Sequence, residues 1–318
     1  MRLTIGVDVG GTKVAAGVVD TTGTVHRTVR QPTPSTEGPD AATEVVCAAI
    51  EELLGDPGLG AEVDGIGIGT PGFVDESRSV VTFAPNLPWR EEPLRSRVHE
   101  RFGLPVVVEN DANAAAWAEV RFGAAQNASE VVCVTLGTGI GGGLVLGGEP
   151  YRGRFGIAAE IGHFQVVPNG RRCGCGKDGC WEQYASGRAL VATARSLMDS
   201  VPERAVRLRE QCGDDSQQLT GQDVMTAAQA GDAIALEAFA VVGAWAGQGI
   251  AALTAILDPE YVVLGGGVAD GGEIIMDPMR AAFQRHVTGG SFRRLPELRQ
   301  AQLGSAAGLV GAADLARR

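Results

Sequence analysis

The chain has 318 residues, a formal net charge of −11, 44% hydrophobic residues and 46 glycines. That length suits two domains better than a single core. The acidic balance argues against broad binding to nucleic acid or to an anionic membrane. Phosphates handled by so acidic a chain must be met by local backbone N–H groups, a few cations and a metal ion.

Residues 3–9 predict a strand, Gly10-Gly11 a tight turn, and 13–20 the partner strand. The opening MRLTIGVDVGGTK runs straight into that strand, so no signal or transit segment is expected. A second turn, Asp20 to Gly23, leads to a third strand near 24–31. From Asp40 the run AATEVVCAAIEELL has helical spacing, with Asp40 placed to cap it and Cys47 on its apolar face. A strand over 65–69 then ends in Thr70-Pro71-Gly72, and a loop runs through Phe83 to Trp89. A helix stops near Phe102 at Gly103. The β-branched run over 105–109 predicts a buried strand, which delivers Asn110-Asp111 to a helix over 113–122.

Residues 131–148, VVCVTLGTGIGGGLVLGG, repeat the opening pattern of strand, glycine turn and strand. Two such units, each leading into α/β structure, predict two similar lobes with ligands in the cleft where the turns converge. Helices are expected near 186–198, 203–211, 220–230 and 232–257. A strand over 261–265 feeds the turn Gly265-Gly266-Gly267, and a last helix near 305–316 is expected to cross back onto the first lobe. Ala238 to Leu257 carries no charge over about the length that spans a bilayer. It is rich in alanine and glycine and closely bounded by Glu237, Asp258 and Pro259, which predicts a buried central helix instead.

The segment from Glu160 to Glu182, EIGHFQVVPNGRRCGCGKDGCWE, holds three of the six cysteines and one of the four histidines. Cys173, Cys175 and Cys180 with His163 suit a tetrahedral Zn²⁺ site, and the glycines between them allow the tight, partly left-handed backbone it needs. The alternative, buried or disulfide-bonded cysteines, fits poorly with the surrounding Arg171, Arg172, Lys177 and Asp178. All four ligands come from protein, so the ion is expected to clamp the loop and aim Glu160 and Glu182. Thiols kept as ligands, with no export signal, point to the cytoplasm.

Asp8 ends a strand beside DVGGTK, where Thr12 and Lys13 add a hydroxyl and a cation. The glycines join two strands, so this is no Walker loop. Leu136 to Gly143, with Thr138, forms a second such turn, and 265–267 a third. Any one alone reads as a hairpin; three ending strands in one chain point to phosphate binding. Asp8 is then the carboxylate for the Mg²⁺ that accompanies ATP, its plain alternative being a turn cap. Asp111 reads either as a helix cap or as a base that takes a hydroxyl proton during phosphoryl transfer. Asn86, Glu160, His163 and Glu182 supply donors and acceptors for a polyol, with Asn110 and Asn113 beside Asp111. Together these describe a sugar kinase.

The segments DVGGTK (Asp8 to Lys13), GIGTPG (Gly67 to Gly72), ENDANAAAWAE (Glu109 to Glu119) and TLGTGIGGG (Thr135 to Gly143) resemble those of the ROK-family sugar kinases. EIGH (Glu160 to His163), CGCGKDGCWE (Cys173 to Glu182) and DPEYVVLGGG (Asp258 to Gly267) extend the resemblance over nearly the whole chain, most closely to the actinobacterial glucokinase type. The resemblance implies an α/β, actin-like ATPase (ribonuclease H-like) fold of two lobes with a central cleft. Residues 1–112, completed by a helix over 305–318, would form the small domain, and 113–304 the large domain with the zinc loop. It implies Asp111 as the base at the 6-hydroxyl of D-glucose, giving glucose 6-phosphate. Asn86, Asn110, Glu160, His163 and Glu182 would hold the sugar, and His163, Cys173, Cys175 and Cys180 the zinc. Gly10, Gly11, Thr12, Lys13, Thr138, Gly139, Gly265 and Gly266 would line ATP. It implies a homodimer or homotetramer, while the acidic charge leaves no nucleic-acid or membrane partner expected.

Some members are sugar-responsive repressors with a DNA-binding domain before the first glycine turn, for which Asp8 leaves no room here. Kinases for N-acetylmannosamine, N-acetylglucosamine or fructose remain alternatives, as does an inactive sugar sensor, which an intact Asp111 disfavours. Nothing in a glycine turn tells ATP from polyphosphate.

Overall fold

The computed structural model describes residues 2–34, 37–56, 62–212 and 215–318. The chain forms two compact units: Met1–Val132 with Gly143–Ala159 and Ala301–Arg318, and Cys133–Gly142 with Glu160–Gln300.

The first unit begins with strands β1 (Leu3–Val9), β2 (Lys13–Asp20) and β3 (Val25–Pro32), then helix α1 (Pro39–Leu54). Strands β4 (Val63–Thr70), β5 (Phe73–Val74), β6 (Val81–Phe83) and β7 (Arg90–Glu92) follow. Helix α2 (Leu94–Phe102), strand β8 (Val106–Asn110) and helix α3 (Asp111–Phe122) complete the run. The main sheet has the order β3-β2-β1-β4-β8, with β1, β4 and β8 parallel. Gly103 ends α2 in the left-handed conformation expected of it.

Two local expectations are corrected and one gains flanking strands. Asp40 lies in the first turn of α1 but does not cap it: the cap is Gly38, and Pro39 opens the helix. Proline fits there because its missing N–H is one the first turn leaves unpaired anyway. The expected loop from Phe83 to Trp89 is flanked by the short antiparallel sheet β5-β6-β7. Strands of two or three residues carry too little alternation to be seen in sequence. Finally, α3 starts at Asp111, and its cap is Asn110, not Asp111.

Strands β9 (Val131–Leu136), β10 (Ile140–Leu146) and β11 (Glu149–Pro150) come next, repeating the strand-turn-strand opening. Helices α4 (Glu182–Ala185), α5 (Gly187–Ser200), α6 (Val206–Gln211), α7 (Gly221–Gln229) and α8 (Ala233–Leu257) follow the cysteine loop. Strand β12 (Tyr261–Gly265), helix α9 (Glu273–His286), strand β13 (Glu297–Gln300) and helix α10 (Ala307–Leu315) close the chain. The second sheet has the order β11-β10-β9-β12-β13. Among the described residues α8 alone is long and apolar enough to cross a membrane, but half of that window is buried. Asp232 caps it with its side chain, and it packs along α9 and α5 as a core helix does.

Helix α10 packs on β1, β4 and α3, so the chain end belongs to the first unit. The approach is close enough to require glycine. A Cβ at Gly67 would lie 1.7 Å from the Ala312 carbonyl oxygen, and one at Gly311 1.8 Å from that of Ala114. Helix α3 is held by that same contact, so it packs with α10 within the first unit.

Candidate active site

Parallel strands β1, β4 and β8 end on one edge of the first sheet, and the edge carries two carboxylates. Asp8 is paired with Ala15 on β2 and Gly69 on β4, while Thr70 pairs with Asn110, the residue before Asp111. Burial lifts the Asp8 carboxyl to about 6; the neighbouring Asp111 charge adds to the rise and Lys13 opposes it. Burial also raises the Asp111 carboxyl, against the Ala112 N–H that donates to its Oδ1 at 2.8 Å. Two buried acids, one of them raised further by the other's charge, favour a proton or a hard cation beside them, and Mg²⁺ with its oxygen preference fits this donor set.

The DVGGTK turn lies on the same unit. Gly10 N–H donates to the Lys13 carbonyl at 2.8 Å, and Thr33 Oγ1 donates to the Gly10 carbonyl at 2.7 Å. Thr12 and Lys13 are exposed, so their polar ends remain available to a ligand. The exposed Asn86 packs by the turn: a Cβ on Gly11 would be 3.3 Å from that of Asn86.

What aims Asn110 and Asp111 is Glu109, which sequence reading did not single out. It is 1% exposed, with Arg78 Nε 3.1 Å and Arg152 Nε 2.8 Å from its Oε2. Its Oε1 accepts from Asn110 N–H at 2.9 Å and from Asn113 Nδ2 at 3.1 Å. Asn113 is therefore a buried brace and not one of the hydroxyl-binding amides its place in sequence suggested. Arg152 also donates to the Val74, Asp75 and Glu76 carbonyls, which ties β8 to the turn after β5. Asn110 is itself well occupied. Its Oδ1 accepts from the Ala112 and Asn113 N–H groups, and its Nδ2 donates to the Gly72 carbonyl at 3.1 Å, leaving one amide N–H for a ligand.

On the second unit, His163, Cys173, Cys175 and Cys180 bring four ligand atoms within 4.8 Å of one another. Cys173 Sγ to His163 Nδ1 and Cys175 Sγ to Cys180 Sγ are both 3.6 Å, and no disulfide forms among the six cysteines. Sulfurs about 2.3 Å from a tetrahedral zinc stand roughly 3.8 Å apart, so the cluster has the size of a closed zinc site. Burial and the thiols of Cys175 and Cys173 push the Cys180 thiol up to about 12, a cost that a bound dication reverses. Gly176 and Gly179 take the left-handed backbone, and a Cβ at Gly179 would be 1.7 Å from the Val167 carbonyl oxygen. Trp181, fully buried, donates Nε1 to the Trp245 carbonyl at 2.9 Å and anchors the loop on α8.

Glu182 joins this cluster to the next turn. Its Oε1 is 3.1 Å from Cys173 Sγ, 3.9 Å from His163 Nδ1 and 3.6 Å from Arg188 Nη2. A Cβ on Gly139 would be 2.6 Å from its Oε2. Glu160 precedes the short helix Ile161–His163, whose His163 N–H donates to the Glu160 carbonyl at 3.1 Å. With Nδ1 turned to the thiols, the His163 ring leaves Nε2 for another partner.

A cavity of about 890 Å³ opens beside Thr138. Its walls include Gly137, Thr138, Gly187, Arg188, Gly267 and Val268, so the second and third glycine turns share it. Val268 N–H donates to the Leu136 carbonyl and Gly187 N–H to that of Gly137, while Gly266 takes a positive φ. Helix α5, capped by the Ser186 side chain, points its N-terminus here, and Gln222 and Met225 of α7 line the far wall. Sequence reading missed α5 and α7 as walls. The Ser186-Gly187 helix start was a legible signal; Gln222 and Met225 had none.

The ROK family model matches residues 4–318. The chain belongs to the ROK family. It is 48% identical to a glucokinase of Streptomyces coelicolor over 317 residues, covering 100% of this chain and 98% of that one. Among solved structures, a ROK family glucokinase from Streptomyces griseus in complex with glucose and AMPPNP superposes with a TM-score of 0.88 at 50% identity, covering 99% of each chain. A ROK hexokinase from Thermus thermophilus gives a TM-score of 0.79 at 39% identity, over 98% of this chain and 97% of that one. This ROK protein thus has the actin-like ATPase fold of its family.

The raised Asp8 carboxyl gives a test in the metal-free protein. A raised carboxyl stabilises the fold below its unfolded value near 3.8, and that stability is lost as pH climbs through about 6. Asp8→Asn removes the penalty, so chemical denaturation should show the variant more stable by up to about 3 kcal/mol at pH 7.5. The gain should shrink to about 1 kcal/mol at pH 4.5. A gain independent of pH would show that charge at Asp8 is not the cause.

Proposed function

We infer that this chain is an ATP-dependent glucokinase that phosphorylates the 6-hydroxyl of D-glucose. The observation that carries the reading is Asp111: a carboxyl raised by burial, on the first turn of a helix, with Oδ1 held by the Ala112 N–H. That leaves Oδ2 to take the hydroxyl proton as the sugar oxygen bonds to the terminal phosphorus and ADP leaves. Asn86, Asn110, Glu160, His163 and Glu182 hold the sugar hydroxyls. Gly10 to Lys13, Thr138, Gly139, Gly265 and Gly266 receive the phosphates, and the cavity beside Thr138 takes the rest of the nucleotide. Asp8 holds the Mg²⁺ that comes with ATP, which neutralises charge on the transferring group. The full-length likeness to glucokinases favours glucose over other hexoses and ATP over polyphosphate.

His163 with the three cysteines holds a structural zinc, supported by the 3.6 Å spacings and the Glu182 contact. The uncrosslinked cysteines suit the cytoplasm. The exposed apolar side chains Leu236, Val241 and Ile256 on α8 support a homodimer or homotetramer.

A coupled assay of ADP release over glucose, mannose, fructose, N-acetylmannosamine and N-acetylglucosamine tests the substrate. Glucose should show the highest kcat/KM; an acetylated sugar in first place would overturn the assignment. Asp111→Asn should lower kcat by about 10³ with sugar affinity kept, because an amide cannot accept the proton. Wild-type-like turnover in that variant would remove Asp111 from the chemistry.

Cys175 is exposed, so Cys175→Ser tests the zinc without opening the core. The wild-type protein should carry one zinc per chain, and the variant should lose it and show KM for glucose raised by about tenfold. Elemental analysis that finds no zinc in the wild type would refute the site.

A further inference from the structure

Away from the proposed active site, the first unit has a second cavity of about 460 Å³, with walls that include Trp117, Arg121, Glu149, Asp314, Arg317 and Arg318. Three guanidinium groups face two carboxylates here, in a chain whose net charge is −11. The carboxylate of Asp314 is 5% exposed and fully engaged in holding the walls. It accepts from Trp117 Nε1 at 2.9 Å, Arg121 Nε at 3.1 Å and Arg317 Nη1 at 3.2 Å. Arg317 Nη2 also donates to the Val19 carbonyl at 2.6 Å.

Arg121 meets Asp314 through Nε alone, and among the described residues no acceptor engages its Nη atoms; its side chain is 46% exposed. Arg318 pairs with Glu149, whose side chain is 62% exposed, and lies 4.7 Å from the Trp117 ring centre. An open pair of that kind is worth only about 0.2–1 kcal/mol, so an incoming anion can take Arg318 at small cost. Guanidinium forks from two directions suit a tetrahedral dianion, which accepts from both at once.

We propose that this arginine pocket binds a phosphate dianion, free or as a sugar phosphate, and reports its presence to the two carboxylates at the sheet edge. Two packed helices make the link. Helix α3 carries Arg121 near one end and Asp111 at the other, ten residues or about 15 Å away. Helix α10 carries Asp314 near one end and Gly308 at the other, where a Cβ would lie 3.0 Å from Asp8 Oδ1. The Gly311 to Ala114 contact leaves no slack between the helices, so a shift of either moves both.

The test is calorimetric titration of the full chain, without sugar or nucleotide, with sodium phosphate at constant ionic strength and, in a second arm, with glucose 6-phosphate. Arg121→Ala and Arg318→Ala should each weaken phosphate binding by about tenfold. Lys13→Ala, in the first glycine turn, should leave that binding intact. Glucose 6-phosphate should lose affinity in the same two variants, and the tighter arm identifies the natural source. Arg318→Ala removes an exposed pair and a contact at the Trp117 ring, with no buried hydrogen bond, so it keeps the test valid if Arg121→Ala misfolds. Unchanged affinity in Arg318→Ala, loss in Lys13→Ala instead, or no binding by the wild type at tens of millimolar phosphate would each overturn the proposal.

Discussion

Glu109 is a charge held inside the protein, and the arrangement of the first sheet's edge follows from how it is neutralised. An unpaired buried carboxylate costs several kcal/mol, so Arg78 and Arg152 must stay within reach of it. Those arginines come from segments on either side of the motif in sequence, and Arg152 grips three carbonyls after β5 as well. One carboxylate oxygen lies nearest the two arginines, while the other accepts from Arg152 Nε, the Asn110 N–H and the Asn113 amide. The strand tip that carries Asn110 and Asp111 is thereby fixed from behind, by groups that never need to meet a substrate. Preorganisation of this kind matters in phosphoryl transfer, where positioning and charge neutralisation supply most of the catalysis.

Much of this was readable in the chain because the signals were local. Glycine turns at residues 10–11 and 137–139, the strand repeat, the stop at Gly103 and the Cys₃His spacing each lie within a few residues. The ligand atoms of that last set meet as the spacing implies. What stayed hidden was non-local or faint. Nothing in sequence says that Glu109 will face Arg152, 43 residues on, instead of water. Asp40 looked like a cap because Asp prefers that role, but Gly38-Pro39 set the helix start two residues earlier. Strands β5 to β7 are too short to show a period. The Gly311 contact that binds α3 to α10 is non-local in the same way, joining positions 114 and 311.

The second unit follows the same logic with a different centre. Glu182 cannot relax freely, since one oxygen is beside Cys173 Sγ and the other beside Gly139. The thiol cluster and the glycine turn therefore constrain a single carboxylate from two sides, and Arg188 adds a cation at 3.6 Å. Because Arg188 Nε also donates to the Thr138 carbonyl at 3.1 Å, the same residue borders the cavity that the second and third turns share. A metal that tightened the cysteine loop would thus act on Glu182 and, through Arg188, on the wall of that cavity. A zinc held there would do no chemistry, yet its loss would reach a proposed sugar ligand and a proposed nucleotide wall together, because both are built on one short chain of contacts.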